Sequence, residues 1–431
     1  MKSNFQILKL REVIDVVIDN RGRNPKSYSD SGIPVIDNYL IVSEAEADLS
    51  QVKRYIDEDT YSSFIRKYIS NGDVLMTLVG NGYGKVAITP EDRCIIIQNT
   101  IGLRCNEDND NLYLYYLLKA NREVLMNLNR GAAQPSIKVG DILDLEFKFP
   151  PIEVQQKIGS MLGGLDKKSF INTQANQTLE EVAQAIFKSW FVDFDPVKAK
   201  MNGEQPEGMD AMTASLFPEK LVESELGLIP EGWEVMGLPS GTLFREGPGI
   251  LAKDFHEKGV PLIRLAGLKN GVSLLDGCNY LDPEKVDKKW KHFLLQEGDI
   301  LLSSSASLGR VAEVTKQSEN SIAYTGIIGF RPIEGVTTRK YLKYFIQSRN
   351  FQRQIEAFGV GSVLKHFGPT HLKKMWILLP PVSIQDKFEQ LVLALDEKIQ
   401  TGLEQNQSLS NLRDTLLPKL LSGEIELGAE D

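Results

Sequence analysis

Two stretches decide the architecture: Pro150-Pro151-Ile152-Glu153-Val154-Gln155-Gln156-Lys157-Ile158 and Pro380-Pro381-Val382-Ser383-Ile384-Gln385-Asp386-Lys387-Phe388. They stand 230 residues apart, and the same offset carries Leu165-Asp166 onto Leu395-Asp396 and Asn176-Gln177-Thr178-Leu179 onto Asn406-Gln407-Ser408-Leu409. Each proline pair suits the first turn of a helix, where a missing N–H is no loss. A period this long exceeds that of any solenoid, so each copy is expected to be a globular domain plus a helix.

The globular parts repeat as well, with offsets drifting between 225 and 230 as loop insertions would cause. Leu10 answers to Leu238, and Ser31-Gly32-Ile33-Pro34-Val35-Ile36 to Lys258-Gly259-Val260-Pro261-Leu262-Ile263. Gly72-Asp73-Val74-Leu75 answers to Gly298-Asp299-Ile300-Leu301, Gly84-Lys85-Val86-Ala87 to Gly309-Arg310-Val311-Ala312, Gly102-Leu103-Arg104 to Gly329-Phe330-Arg331, and Tyr113-Leu114 to Tyr341-Leu342. Short β-branched runs between Gly, Pro and Asn turns predict strands over 73–78, 86–89, 93–97 and 101–104, with counterparts in the second half. Helical spacing predicts helices over 113–127 and 341–358. The fold class expected is α+β, with two tandem mixed domains at 1–149 and 233–379. The long helices are expected over 150–192 and 380–431, and the turn-rich stretch 193–232 reads as a connector returning the chain to the second domain.

Ile158, Leu165, Asn172, Leu179 and Ile186 fall seven apart, as do Phe388, Leu395, Gly402, Leu409 and Leu416. Met161, Ala175 and Val182 are expected at the alternate seam positions of the first helix, and Leu391 and Leu412 in the second. Neither stripe can be buried within its own helix, so the two are expected to form an antiparallel coiled coil that relates the halves by a pseudo-twofold repeat, with Asn172 opposite small or polar positions such as Gly402. About 40 residues at 1.5 Å each span roughly 60 Å, a length suited to a spacer. Four residues inserted near Asn406 are accordingly expected to lengthen the gap between two ligand subsites and leave both subsites unchanged. The C-terminus is expected beside the N-terminus.

The chain has 431 residues and a net charge of −9. The charge is uneven: residues 233–379 carry +6, whereas 149–232 and 380–431 carry −6 each and 1–148 carry −3. No apolar run is long enough to span a membrane, and the first residues lack a signal-peptide core. Cys94, Cys105 and Cys278 form no CxxC pair and fit a reducing cytoplasm. Catalytic signatures are missing. Gly80-Asn81-Gly82-Tyr83-Gly84-Lys85-Val86 lacks the spacing and the Ser/Thr of a phosphate loop, and His256, His292, His366 and His371 form no metal or triad pattern.

The twin Pro-Pro…Gln…Lys helices resemble the specificity subunit of a type I restriction–modification enzyme, over essentially the whole chain. The stretches from Phe187 to Lys200 (FKSWFVDFDPVKAK), Ile229 to Trp233 (IPEGW), and Leu417 to Gly423 (LPKLLSG) are phrases typical of that family. Where its usual opening reads PP-x-x-EQ, this chain has Val154-Gln155 and Ile384-Gln385, keeping the Gln twice. The resemblance implies two target-recognition domains, each reading one half of a bipartite double-stranded DNA site. It implies further that two methyltransferase subunits dock on the helices and that two restriction/translocase subunits join for cleavage. S-adenosylmethionine, ATP and Mg would then be used by those partners, with no cofactor, metal or membrane for this chain.

DNA reading needs base-edge hydrogen bonding and cations on phosphates. Candidates in the first domain are Arg21, Arg23, Asn24, Lys26, Asn81, Tyr83, Lys85, Gln98, Asn99, Arg130, Gln134 and Lys138. Those in the second are Arg245, Lys253, Arg264, Lys269, Ser304, Ser305, Arg310, Tyr324, Lys365 and His366. Three other readings exist: a specificity subunit of a related system whose partner fuses cutting and methylation, a coiled-coil scaffold that binds proteins alone, and an independent enzyme, against which the missing catalytic motifs count. Salt-sensitive, sequence-selective DNA binding separates the scaffold from the others.

Overall fold

A computed structural model describes residues 5–41, 45–80, 82–129, 135–269, 273–305, 308–358, 367–425 and 427. The chain divides into two compact units, Met1–Ile171 with Gln405–Asp431, and Asn172–Glu404. Two helices, Ile152–Phe191 and Val382–Ser422, each contribute a part to both units.

The first unit holds strands β1 (Gln6–Lys9), β2 (Ile14–Ile18), β3 (Ile33–Ile36), β4 (Tyr55–Ile56), β5 (Val74–Thr77), β6 (Val86–Ile88), β7 (Ile95–Ile96), β8 (Thr100–Cys105) and β9 (Glu146–Phe149). They form an antiparallel sheet ordered β2-β8-β5-β6, a sheet ordered β4-β3-β7 in which β3 and β7 are parallel, and the pair β1-β9. The central strand β5 is buried at every residue because both faces are covered. Val74 and Met76 face the core under helix Asn111–Ala120, and Leu75 faces a smaller core with Ile36, Leu40 and Ala87.

The second unit adds a hairpin of β10 (Leu221–Ser224) and β11 (Gly227–Pro230), followed by β12 (Glu234–Gly237), β13 (Thr242–Glu246), β14 (Val260–Ile263), β15 (Asn279–Leu281), β16 (Ile300–Ser303), β17 (Val311–Glu313), β18 (Ile322–Ala323), β19 (Ile327–Pro332) and β20 (Trp376–Leu379). Its sheets are ordered β13-β19-β16-β17, β15-β14-β18 and β12-β20, the order of the first unit strand for strand. The duplication expected from the sequence is therefore one of topology as well.

The repeated motifs have structural work. Asp73 and Asp299, 1% and 3% exposed, each take a two-pronged bond from an arginine on the neighbouring strand. Arg104 donates Nε and Nη2 at 2.7 Å to Asp73, and Arg331 does so at 2.7 and 2.6 Å to Asp299. The retained glutamines close the first turn of each long helix. Gln155 Nε2 donates to Pro150 O and its Oε1 accepts from Asp110 N. Gln385 does the same to Pro380 O and from Thr338 N. Asp110 and Thr338 are the N-caps of helices Asn111–Ala120 and Arg339–Gln347, so one side chain fixes the start of two helices in each unit.

On the long helices, Ile158, Asn172 and Phe388 are buried, while Leu165, Leu179, Ile186, Leu395, Leu409 and Leu416 are half-buried. Between them the alternate positions differ from the expectation. Met161, Val182, Leu391 and Leu412 are 42–47% exposed, and Ala175 is exposed. The inward positions are Leu162, Ser169, Asn176 and Ala183 on the first helix, and Val392, Ile399, Asn406 and Arg413 on the second. A heptad seam advances by four and then three residues, and either order satisfies a seven-residue repeat. The polar side chains that made these positions look external are satisfied inside. Asn176 Nδ2 donates to Ile399 O at 3.1 Å. Arg413 Nη1 donates to Asp166 Oδ1 at 2.7 Å, and Tyr116 Oη donates to Asp166 Oδ2 at 2.7 Å. Gly402 lies against Asn176 rather than Asn172, and a Cβ there would come within 2.5 Å of the Asn176 amide. Within each unit the two helices run antiparallel: Asp166 meets Arg413 in the first, and Phe187 meets Phe388 (ring centroids 5.6 Å apart) in the second.

The helices expected over 113–127 and 341–358 are each broken. Asn121 (φ −101°, ψ 27°) separates Asn111–Ala120 from Arg122–Asn127 and turns its amide back onto Leu117 O. Ser348 (φ −64°, ψ 151°) ends one helix and caps the next through Phe351 N. Both side chains offer the backbone a local partner that competes with helix continuation. The stretch 193–232 is packed rather than bare: Val197, Phe217 and Ile229 share a core with Trp190, Phe191 and Trp233. At the C-terminus, Gly423 lies against the Phe5 ring.

Candidate nucleic-acid interface

In the first unit, three loops meet at one end of the four-stranded sheet. The turn after β5 is tied by Tyr83 N to Gly80 O and Lys85 N to Gly82 O. The connection into β8 reaches it through Leu78 N to Asn99 O (2.7 Å), and the segment before helix Val139–Leu143 through Gly80 N to Pro135 O and Ile137 N to Leu78 O. Asn38, the second residue after β3, binds two of them, donating Nδ2 to Val79 O at 3.1 Å and accepting from Thr100 Oγ1 at 2.8 Å. The loop after β2 is anchored by Asn20, 2% exposed, whose amide contacts Lys67 O, Lys67 N and Ile96 O.

These contacts sort the candidates. Asn24, Lys26, Gln98 and Lys138 are exposed, whereas Tyr83, Lys85 and Asn99 are half-buried. Gln98 sits at φ 58°, which turns the chain sharply before β8. Arg21 is bound two-pronged to Asp19, and that guanidinium holds the Asp19 carboxyl below its usual range despite partial burial. Arg23 donates Nη1 to Phe64 O at 2.9 Å and lies over the Phe64 ring, so it shapes the loop. Asn81, Arg130 and Gln134 lie outside the described residues.

The second unit gathers the equivalent loops. Ser304 N donates to Gly326 O, Phe367 N to Ser304 O, and Gly247 N to Ile327 O. Tyr324 Oη donates to Ile250 O at 3.2 Å, and Tyr324 N to Ile263 O at 3.0 Å. Arg264, the residue after β14, lies over the Tyr324 ring, its Cζ 4.2 Å from the centroid. Ser304 is buried, Ser305 and Arg310 are half-buried, and Lys253 and Lys269 are exposed. Arg245 stands apart on β13, bonded to His292 O and lying over Phe293. Lys365 and His366 lie outside the described residues.

The residues that organise these loops, Asn20, Asn38, Asn279 and Phe255, were not among the candidates. Their roles depend on partners far along the chain, so only the Asn-rich turn composition hinted at them. Cations, amides and a stacked guanidinium collected on turns suit contacts to phosphates and base edges. Among the described residues, no group of three or more His, Cys, Asp or Glu could hold a metal ion.

Known proteins resemble this chain. The family described as type I restriction modification DNA specificity domain matches residues 2–181 and again 230–410. The type I restriction enzyme HindI specificity subunit of Haemophilus influenzae is 27% identical over 409 residues, covering 84% of this chain and 88% of that protein. The MjaIX specificity subunit of Methanocaldococcus jannaschii is 26% identical over 441 residues, covering 98% and 94%. The crystal structure of the S subunit of a type I restriction-modification system from M. genitalium matches with a TM-score of 0.56 at 15% identity, over 97% of this chain and 96% of that one. The fold is shared with it.

Proposed function

The chain belongs to the type I restriction–modification DNA specificity family and carries that domain twice, and from this premise we infer that each copy reads one half of a bipartite double-stranded DNA target. The observation that carries the reading is the repeated loop cluster: in both units the turns after the central strand and before the next sheet strand converge with the loop after β3 or β14. Exposed lysines beside these turns would hold phosphates, a sequence-independent and salt-sensitive contribution, while half-buried polar groups would read base edges.

Two methyltransferase subunits would dock on the long helices, with two restriction/translocase subunits added for cleavage. Apolar residues at matched outward positions support this. Met161 and Leu391 stand 230 apart, as do Val182 and Leu412, and all four are 42–47% exposed although the seam is filled without them. Adenine methylation with S-adenosylmethionine, and cutting driven by ATP with Mg, belong to those partners in this reading. A cytoplasmic setting goes with it, and no described helix is long and apolar enough to cross a membrane.

Methylome sequencing of a host that expresses the chain with its methyltransferase tests the division of labour. Exchanging residues 1–148 for the matching domain of another family member is expected to change the bases of one half-site only. Changes in both halves would defeat the assignment of one domain to one half-site.

A further inference from the structure

The half-buried arginines of the second unit differ in what neutralises them. Arg331 and Arg339 face the carboxylates of Asp299 and Glu389. Arg264 instead donates Nη1 to the neutral amide oxygen of Asn279 at 3.0 Å. Its plane rests against Tyr324 at 4.2 Å and Phe255 at 5.6 Å, and those two rings pack edge to face at 6.3 Å. The platform is fixed from behind by the Tyr324 hydroxyl on Ile250 O and the Tyr324 amide on Ile263 O. A guanidinium held this way has little rotamer freedom left to lose. With Nη1 engaged, its Nε–Nη2 edge has no partner among the described residues and forms a planar two-donor fork.

The first domain gives the contrast. Its residue after β3 is Asp37, where the second domain has Arg264 after β14. Asp37 is paired with Arg54, which also lies over an aromatic ring, Tyr28, at 4.5 Å. The same corner of the fold therefore carries a guanidinium paired with a carboxylate in one domain and, among the described residues, one with no carboxylate partner in the other. Side chains that read sequence must differ between domains with different targets, and this position differs in charge.

We propose that Arg264 is a specificity-determining residue of the second domain, reading a guanine through the N7 and O6 acceptors of its major-groove edge. The proposal rests on the chain being a DNA-specificity subunit. An arginine fork on guanine is the commonest specific contact to a base, and such a contact discriminates by about 5- to 150-fold.

The experiment uses the full chain assembled with its methyltransferase and a duplex library randomised across the target. The wild-type complex is expected to select a bipartite motif with a guanine in one half-site. Arg264→Ala and Arg264→Lys should both lose preference at that guanine by about 5- to 150-fold, with every other position retained. Replacing that guanine by 7-deazaguanine should weaken the wild-type complex and leave the alanine variant unaffected. Arg264→Lys keeps the charge without the fork, so it reports even if alanine disturbs folding. Retained guanine preference in the lysine variant would overturn the proposal. So would equal weakening on all sequences with a salt slope reduced by about one, the mark of a phosphate contact. A wild-type complex that selects no bipartite motif would overturn the functional reading itself, which a failure confined to Arg264 would not.

Discussion

Gln385→Ala should destabilise the second unit far more than the size of the side chain suggests. The residue is 0% exposed. Its Nε2 donates to Pro380 O and Val336 O, both at 2.9 Å, and its Oε1 accepts from Thr338 N at 3.0 Å. Truncation strands two carbonyls and one amide at about 1–3 kcal/mol per buried group left unmade. With partial relaxation, roughly 3–5 kcal/mol is expected in total. For a unit of this size about 2–4 °C accompanies each kcal/mol, so its midpoint should fall by about 6–20 °C. The assay is already built into the sequence, because Trp190, Trp233, Trp290 and Trp376 all lie within Asn172–Glu404. Tryptophan fluorescence on heating thus follows that unit. Gln155→Ala, the matching change in the first unit, removes the bonds to Asp110 N, Pro150 O and Asn109 Oδ1 and should move the tryptophan signal much less. A Gln385→Ala transition within about 2 °C of wild type, or an equal response to Gln155→Ala, would refute the reasoning.

Other consequences concern the charged contacts and the thiols. Arg413→Ala should cost about 2–3 kcal/mol in urea unfolding, less than breaking a whole buried pair, because Tyr116 and Lys119 stay on Asp166; Asp166→Asn in the same background should recover part of the loss. Burial opposes ionisation of Asp396, but Lys343 and Lys340 outweigh it and hold its pKa below the usual carboxylate value. A carboxyl depressed on folding adds stability above its unfolded pKa and loses it as pH falls through the folded one, so tryptophan-monitored stability should drop below about pH 4 and drop less steeply in Asp396→Asn. Burial pushes the Cys94 and Cys105 thiols up to about 12, so alkylation at pH 8 should leave both unmodified in the folded protein and modify both after denaturation, read by peptide mass spectrometry.

Much of the fold was legible because it is written in periodicities. Short apolar, β-branched runs bounded by turn residues located β5, β8, β16 and β19, and the heptads with their proline pairs located both long helices. The phase of the seam was not legible. Choosing Leu162 over Met161 depends on which side chain meets the partner helix, and Asn176 and Arg413 look external until Ile399 O and Asp166 satisfy them. The breaks at Asn121 and Ser348 were hidden for a similar reason, since a side chain that caps locally leaves the apolar spacing on either side intact. The segment 193–232 reads as turns because its glycines do turn, four of them at positive φ (Gly203, Gly208, Gly227, Gly232), while the residues between them fill a core.

The candidate site was legible as a set of loops and illegible as a set of roles. Arg23 and Arg264 are alike in residue type and in lying in a loop after a strand, β2 for the first and β14 for the second. Tertiary partners separate them: Arg23 is spent on Phe64 O, while Arg264 is stacked with its fork available. The duplication supplies a further criterion. Residues repeated most faithfully (Asp73 and Asp299, Arg104 and Arg331, Gln155 and Gln385, Tyr116 and Tyr344, Asp166 and Asp396) all bond within their own unit. They are kept because both copies must close the same sheet and seat it on the same helix. If each domain reads its own half-site, as proposed, selection would act in the opposite sense there, favouring divergence where the backbone is equivalent. Under the proposal for Arg264, Asp37 against Arg264 would be such a position, because the two residues follow equivalent strands and differ in charge.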